Sequence, residues 1–74
     1  MKDLIYDYNK LKGRIKEKIG TQEHFAKTIQ ISNTSLSLKI SNKRQWTQAE
    51  INRACRVLEI PDEEISDYFF TLKV

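Results

Sequence analysis

Short polar side chains are concentrated in one stretch of the sequence, SNTSLSLK at residues 32–39. Asn33 can make paired hydrogen bonds to the edge of adenine, and Thr34 can hydrogen-bond a base or touch a thymine methyl group. Leu38 can make an apolar contact with the same methyl group. This chemistry requires the side chains to project from the outer face of a helix. The residue types therefore point to recognition of double-stranded DNA.

Basic residues surround this stretch. Between residues 10 and 44, Glu17 and Glu23 are the only acidic residues among many Lys and Arg residues, and the net charge of the whole chain is +3. Residues 59–67 reverse the sign, because every charged side chain there is acidic. The basic half is expected to attract polyanions. A lysine-rich solvated surface is the alternative explanation.

Other chemistry has little support in the sequence. His24 has no carboxylate or cysteine at ligand spacing, which favours a surface or capping role, and Cys55 lies on an apolar helical stripe, as a small buried hydrophobe would. The acidic residues lack the spacing of a metal-binding loop and are assigned to helix capping and solvation; they are Asp62, Glu63, Glu64 and Asp67. We therefore expect no enzyme activity, no metal, no cofactor and no small-molecule ligand.

The setting is expected to be the cytoplasm of a bacterial host. A single cysteine cannot form an internal disulfide, which suits a reducing compartment. The acidic residues near the start do not fit a signal peptide, and no stretch approaches the roughly 20 apolar residues of a membrane span. With 74 residues, the sequence predicts one domain over residues 1–74 with one core.

Apolar spacing predicts five helices around that core. Leu4, Tyr8, Leu11, Ile15 and Ile19 fall on one helical stripe. The predicted helices cover residues 4–19, 21–29, 32–40 and 47–60, and a fifth begins at residue 62.

The helix ends are predicted from capping residues. Thr21, Ser32 and Thr47 are the expected N-caps, and Thr47 forms a capping box with Glu50. Pro61 is expected to end the fourth helix. Trp46 precedes the Thr47 cap, where packing against Ile51 is favoured over a contact with the DNA backbone.

The second and third helices are joined by a tight turn, which predicts a helix-turn-helix at about residues 21–40. Its pattern resembles that of the Cro and repressor family of phage regulators, through Gln22, Phe25, Ala26, Ile29, Ile31, Ser32, Leu36 and Ile40. The segments YDYNKLKGRIKEKIGTQEHFA, SLSLKISNK and YFFTLKV look like those of small Cro-like regulators of phages and prophages. Two positions where the family often has glycine hold Gln30 and Asn42 instead.

The resemblance implies an all-α, five-helix lambda-repressor-like (Cro/CI-type) helix-turn-helix domain. It also implies a sequence-specific transcriptional regulator, a Cro-like repressor. The candidate base contacts are Asn33, Thr34, Leu38 and Ser37. The candidate phosphate contacts are Gln22, Ser32, Ser35, Lys39, Lys43 and Arg44.

Members of this family usually bind palindromic operators as homodimers, because one recognition helix reads too few base pairs. The C-terminal segment 65–74 is a possible dimer interface, since it is rich in apolar side chains at Tyr68, Phe69, Phe70, Leu72 and Val74. Alternatively, this tail folds back over the first helix and completes the core.

The leading prediction of function is operator binding. A second prediction, from a different class, is an antitoxin-like adaptor that keeps the fold and docks a protein partner through its acidic and aromatic C-terminal end. RNA binding ranks third, because no aromatic platform for stacked bases is visible.

Overall fold

The computed structural model describes residues 5–73 and confirms the predicted all-α fold with five helices. The helices are α1 (Asn9–Lys18), α2 (Gln22–Thr28), α3 (Asn33–Ile40), α4 (Gln48–Leu58) and α5 (Ile65–Phe69). A 3₁₀ turn at Asp62–Glu64 leads into α5. Residues 5–73 contain no strand, and their only β pairing is an isolated antiparallel bridge between Tyr6 and Leu72.

The predicted N-caps are confirmed. The Thr21 hydroxyl accepts a hydrogen bond from the backbone of His24 at 3.1 Å, and the Ser32 hydroxyl accepts one from Ser35 at 3.0 Å. At the start of α4, Thr47 and Glu50 form the complete capping box. These bonds satisfy amide groups that have no partner inside a helix, so the starts of α2, α3 and α4 are determined locally.

Every helix contributes side chains to a single core. The α2–α3 pair packs against the rest of the molecule through its inner stripes, and α1 contacts α2, α4 and α5. The largest fully buried side chains are Phe25, Phe69, Leu11, Ile15, Ile29, Leu36 and Leu58. The predicted stripes of α2, α3 and α4 therefore face inward, and their polar sides are left for contacts with other molecules.

Helix α1 begins later than predicted. The sequence pattern placed its start at residue 4, which lies outside the described residues, but the first helical residue is Asn9. Ahead of it, the amide of Asp7 donates to the carbonyl of Thr71 at 2.7 Å, and that of Lys73 donates to Ile5 at 2.8 Å. Pairing with the distant C-terminal segment uses the backbone groups that an additional helical turn would need.

Helix α4 also ends earlier than predicted, at Leu58. The next residue, Glu59, has a left-handed backbone with φ of 56°. The Arg14 side chain donates to the carbonyls of Leu58 and Glu59, each at 2.9 Å. Thus the helix terminates through this left-handed residue and a cationic side chain from α1, ahead of Pro61.

The C-terminal segment is partly incorporated into the core, and its role as a dimer interface stays a prediction. Tyr68 and Phe69 are buried in the core, which removes them from the predicted dimer interface. Phe70 and Leu72 remain 51% and 50% exposed. Val74 lies outside the described residues. In the described part of the chain, no helix has the length and apolar character needed to cross a membrane.

Candidate functional site

The outer face of α3 presents the polar residues selected from the sequence. Asn33, Thr34 and Ser37 are exposed, and Leu38 is half-buried. The helix has this orientation because Leu36 is fully buried on the opposite side. The structure therefore brings the four candidate base contacts to the accessible side of one short helix.

The candidate phosphate contacts do not form one group. Gln22 is exposed at the first residue of α2, whereas Lys43 and Arg44 are exposed in the loop after α3. Arg44 donates to the Ser35 hydroxyl at 3.0 Å. The Ser32 hydroxyl is already used as the α3 cap. The charged members of this set that remain accessible are the two loop cations.

The prediction that Lys39 contacts phosphate is corrected by its burial. Its side chain is only 4% exposed, and its ammonium lies 2.9 Å from the Glu50 carboxylate. The same ammonium donates to the Gln45 carbonyl at 3.0 Å. Burial tends to raise the pKa of Glu50, but hydrogen bonds from Thr47 and the Lys39 ammonium outweigh it and hold that pKa below its usual value. Lys39 thus fixes the α3–α4 loop to the α4 cap.

An aromatic groove lies beside the loop that carries Lys43 and Arg44. We define the aromatic groove by Tyr6, Tyr8, Trp46, Phe69 and Phe70, which line a cavity of about 700 Å³. The Trp46 and Phe69 rings meet edge to face with centroids 5.1 Å apart, and Tyr6 and Phe70 do so at 6.1 Å. The first contact confirms that Trp46 packs within the protein, against Phe69, whereas its predicted packing against Ile51 stays a prediction.

Asn42 holds one wall of the groove in place. Its side chain accepts from the Tyr6 amide at 2.8 Å and donates to the Tyr6 carbonyl at 3.0 Å. Its backbone is left-handed, with φ of 66°, as expected for an asparagine at the end of a helix. Sequence reasoning placed Asn42 where the family often has glycine but missed this bond to a residue 36 positions away.

Two polar groups of the groove, the Tyr8 hydroxyl and the Trp46 indole N–H, belong to residues that line the same cavity. Burial raises the pKa of the Tyr8 hydroxyl, the neighbouring Tyr6 adds to the rise, and the Trp46 indole partly opposes it. The indole N–H of Trp46 is nevertheless buried without an acceptor in hydrogen-bond geometry among residues 5–73. A buried N–H without an acceptor lowers the stability of the folded chain. The position of Trp46 is therefore maintained by its ring contacts.

The two residues considered for catalysis, His24 and Cys55, differ in exposure. His24 is exposed on α2, whereas Cys55 is buried on α4 as predicted. Burial, and to a smaller extent Asp62, raises the pKa of the Cys55 thiol, which disfavours the thiolate. No group of metal-binding side chains is found within residues 5–73.

Comparisons with known proteins support a regulatory role more clearly than a particular mechanism. A family model described as "Protein of unknown function (DUF739)" matches residues 4–72. The solution structure of the modulator of repression (MOR) of the temperate bacteriophage TP901-1 from Lactococcus lactis is 45% identical, with a TM-score of 0.78 over 88% of each chain. No curated protein matches the chain. The chain is thus similar to a small phage regulatory protein, and neither match names a Cro-type repressor.

Proposed function

We propose that this chain, which belongs to the DUF739 family, is a phage regulatory protein that modulates repression by binding a repressor protein. The observation that carries the proposal is the 45% identity to the modulator of repression over 88% of both chains. This likeness extends over nearly the whole domain. The proposed role is one of binding without catalysis, inside the bacterial host cell.

The fold suits such an adaptor. Its core occupies the inner stripes of all five helices, which leaves the aromatic groove and the outer face of α3 accessible on a rigid scaffold. This reading favours the protein-interaction alternative drawn from the sequence over direct operator binding. The aromatic C-terminal residue Phe70 remains accessible for a partner, in keeping with that alternative.

Direct DNA binding is the second candidate, and the exposed face of α3 favours it. Asn33 and Thr34 occupy the first turn of α3, which is the part of a recognition helix that reaches base edges. Lys43 and Arg44 would contact phosphates beside it. Under this candidate, the chain would be a Cro-like repressor that binds a palindromic operator as a homodimer.

One experiment separates these candidates. Labelled operator DNA of phage TP901-1 is titrated with this chain, first alone and then in the presence of the TP901-1 repressor, and fluorescence anisotropy is measured. Where the genome that carries this chain encodes a repressor, that repressor with its operator serves as the second pair. We expect the chain to change repressor occupancy while binding the operator alone no better than a shuffled duplex. Specific binding without repressor, and no effect on repressor occupancy in either pair, would overturn the proposal.

A further inference from the structure

The aromatic groove is an exposed feature that the packing of the core does not explain. Phe70 is 51% exposed, yet its ring is held against Tyr6 at an edge-to-face angle of 82°. The floor of the groove is more tightly packed than the wall at Phe70, because Phe69 is 1% exposed and packs on Trp46. Ordered aromatic rings around an open cavity are typical of surfaces that bind a large apolar side chain.

The charges at the rim have one sign. Lys43 and Arg44 line the cavity, and its other lining residues include no Asp or Glu. In the part of the chain that the structure describes, neither cation forms an ion pair. A ligand that brings carboxylates to this rim would gain attraction without first breaking an internal ion pair.

We propose that the aromatic groove binds an acidic segment of a protein partner, with one large apolar side chain of that segment inserted between Trp46 and Phe70. This inference rests on the proposed function, since the partner would then be the repressor. Insertion would bury the exposed ring of Phe70, while acidic residues on either side of the anchor would meet Lys43 and Arg44.

Charge argues for a different protein over a second copy of this chain. In a two-fold contact the same surface is used on both sides, so the rim cations of one copy would approach those of the other. The densest group of acidic residues in the chain lies on the 3₁₀ turn and α5, where Asp67 already pairs with Lys10 at 3.9 Å. An acidic partner avoids this repulsion.

The apolar floor argues against DNA as the occupant. Phosphates would be attracted to Lys43 and Arg44, but they would gain nothing from the rings of Tyr6 and Phe70. Removing the Phe70 ring therefore distinguishes the two ligands, because it should weaken an inserted peptide and leave a phosphate contact unchanged.

The inference can be tested with a random dodecapeptide library selected on the full-length chain. We expect selected peptides to carry one Phe, Trp, Leu or Met next to Asp or Glu. For the peptides that lack Trp, affinity can be read from the fluorescence of Trp46, because the chain has a single tryptophan. Phe70→Ser should weaken binding by about tenfold or more, as expected for an anchor contact, whereas Leu72→Ser should not. Leu72 is a matched control, since it is 50% exposed and lies outside the groove.

The need for positive charge at the rim of the groove is tested with two double variants that change net charge equally. The double variant Lys43→Glu with Arg44→Glu should abolish peptide binding, whereas Lys16→Glu with Lys27→Glu makes the same change in net charge at exposed helix positions. Circular dichroism melting would show that each variant folds. Selection of basic or neutral peptides, or equal binding by the groove variants and their controls, would overturn the inference. Loss of self-association in Phe70→Ser would assign the groove to a second copy and would overturn it too.

The same variants separate this inference from the proposed function. If the wild-type chain binds the repressor but Phe70→Ser binds it equally well, the inference fails and the proposed function stands. If the chain binds acidic peptides through the groove but neither repressor, the proposed function fails and the groove assignment stands.

Discussion

At the scale of single residues, the Glu50 carboxylate makes two structural contacts. Its carboxylate accepts from the Thr47 amide at 2.8 Å and pairs with the Lys39 ammonium at 2.9 Å. The first contact could be predicted, because Thr47 and Glu50 are three residues apart in a known capping pattern. The second could not, because it joins α3 to α4 through the long side chain of a residue that local spacing assigns to a solvent-exposed position.

This ion pair predicts a pH-dependent effect of Lys39→Met. Removing one partner of a buried pair should lower the free energy of unfolding by about 3 kcal/mol at pH 7. The pKa of Glu50 in the folded chain is below its ordinary value of 4.5. Its stabilising contribution is therefore present above that value and is lost as pH falls through the folded pKa.

The gap in unfolding free energy between wild type and Lys39→Met should thus narrow in acid. Urea unfolding at pH 7, 5 and 3 would measure it, with Lys27→Met as an exposed control. A gap of the same size at all three pH values would show that the pair does not form.

The outer face of α3 gives a residue-scale test of the second candidate function. If α3 reads DNA, Asn33→Ala should lower specific affinity by about 1–3 kcal/mol and relax the choice of base. Lys43→Ala should weaken all sequences alike and reduce the salt slope by about one, because one phosphate contact is lost.

Lys18→Ala supplies the control, because its ammonium already pairs with Glu59 at 3.7 Å and should not alter the salt slope. Selection from random duplexes, followed by titration at several salt concentrations, measures all three variants. Identical affinities for every duplex and variant would remove DNA reading from the functions of α3.

At the scale of elements, local signals determined the middle of the chain better than its ends. The starts of α2, α3 and α4 follow from side-chain caps within three residues, and all three were predictable. The start of α1 depends on Thr71 and Leu72, which are more than 60 positions away. The groove escaped prediction for the same reason, since its walls come from both ends of the chain and from one loop.

The bond between Asn42 and Tyr6 predicts a graded effect of substitution. Asn42→Gly keeps the left-handed backbone but loses two hydrogen bonds to Tyr6, which should cost about 1–2 kcal/mol. Asn42→Ala loses the same bonds and adds a left-handed penalty of about 1 kcal/mol. Urea unfolding of wild type and both variants measures the order of their free energies of unfolding. Equal stability of wild type and Asn42→Gly would mean that the bonds to Tyr6 contribute nothing.

The turn between α2 and α3 carries an unusual residue. Gln30 has φ of 66°, a conformation that glycine adopts without a side-chain penalty. Gln30→Gly should therefore stabilise the chain by about 0.5–1 kcal/mol, after allowing for the greater freedom of glycine in the unfolded state. Gln30→Ala is the control and should change little. Thermal unfolding of both variants measures the effect, and a lower unfolding temperature for Gln30→Gly than for wild type would contradict the prediction.

At the scale of the whole molecule, folding redistributes the charge asymmetry seen in the sequence. Acidic residues from the C-terminal half meet the basic α1, through Lys10 with Asp67 at 3.9 Å and Lys18 with Glu59 at 3.7 Å. Those lysines are therefore partly neutralised. The loop cations Lys43 and Arg44 stay available, so the basic surface that matters is smaller than the sequence suggests.

Burial of apolar side chains in the core bears on self-association. Tyr68 and Phe69 are used by the core, and within residues 5–73 the large apolar side chains that remain exposed are Ile5, Phe70 and Leu72. A stable protein interface usually buries more than about 1,000 Å² in total, which three half-exposed side chains do not supply. We therefore expect the free chain to be a monomer of 8.7 kDa at micromolar concentration.

Sedimentation equilibrium measures this mass directly, and Phe70→Ser with Leu72→Ser is the variant to run beside wild type. The two should have the same mass, because no interface is lost. A wild-type mass of about twice the monomer that falls in the variant would place the two-fold contact at the C-terminal segment. Because residues 71–73 pair with 5–7, these point substitutions are preferable to a deletion, which would remove that pairing from the folded chain.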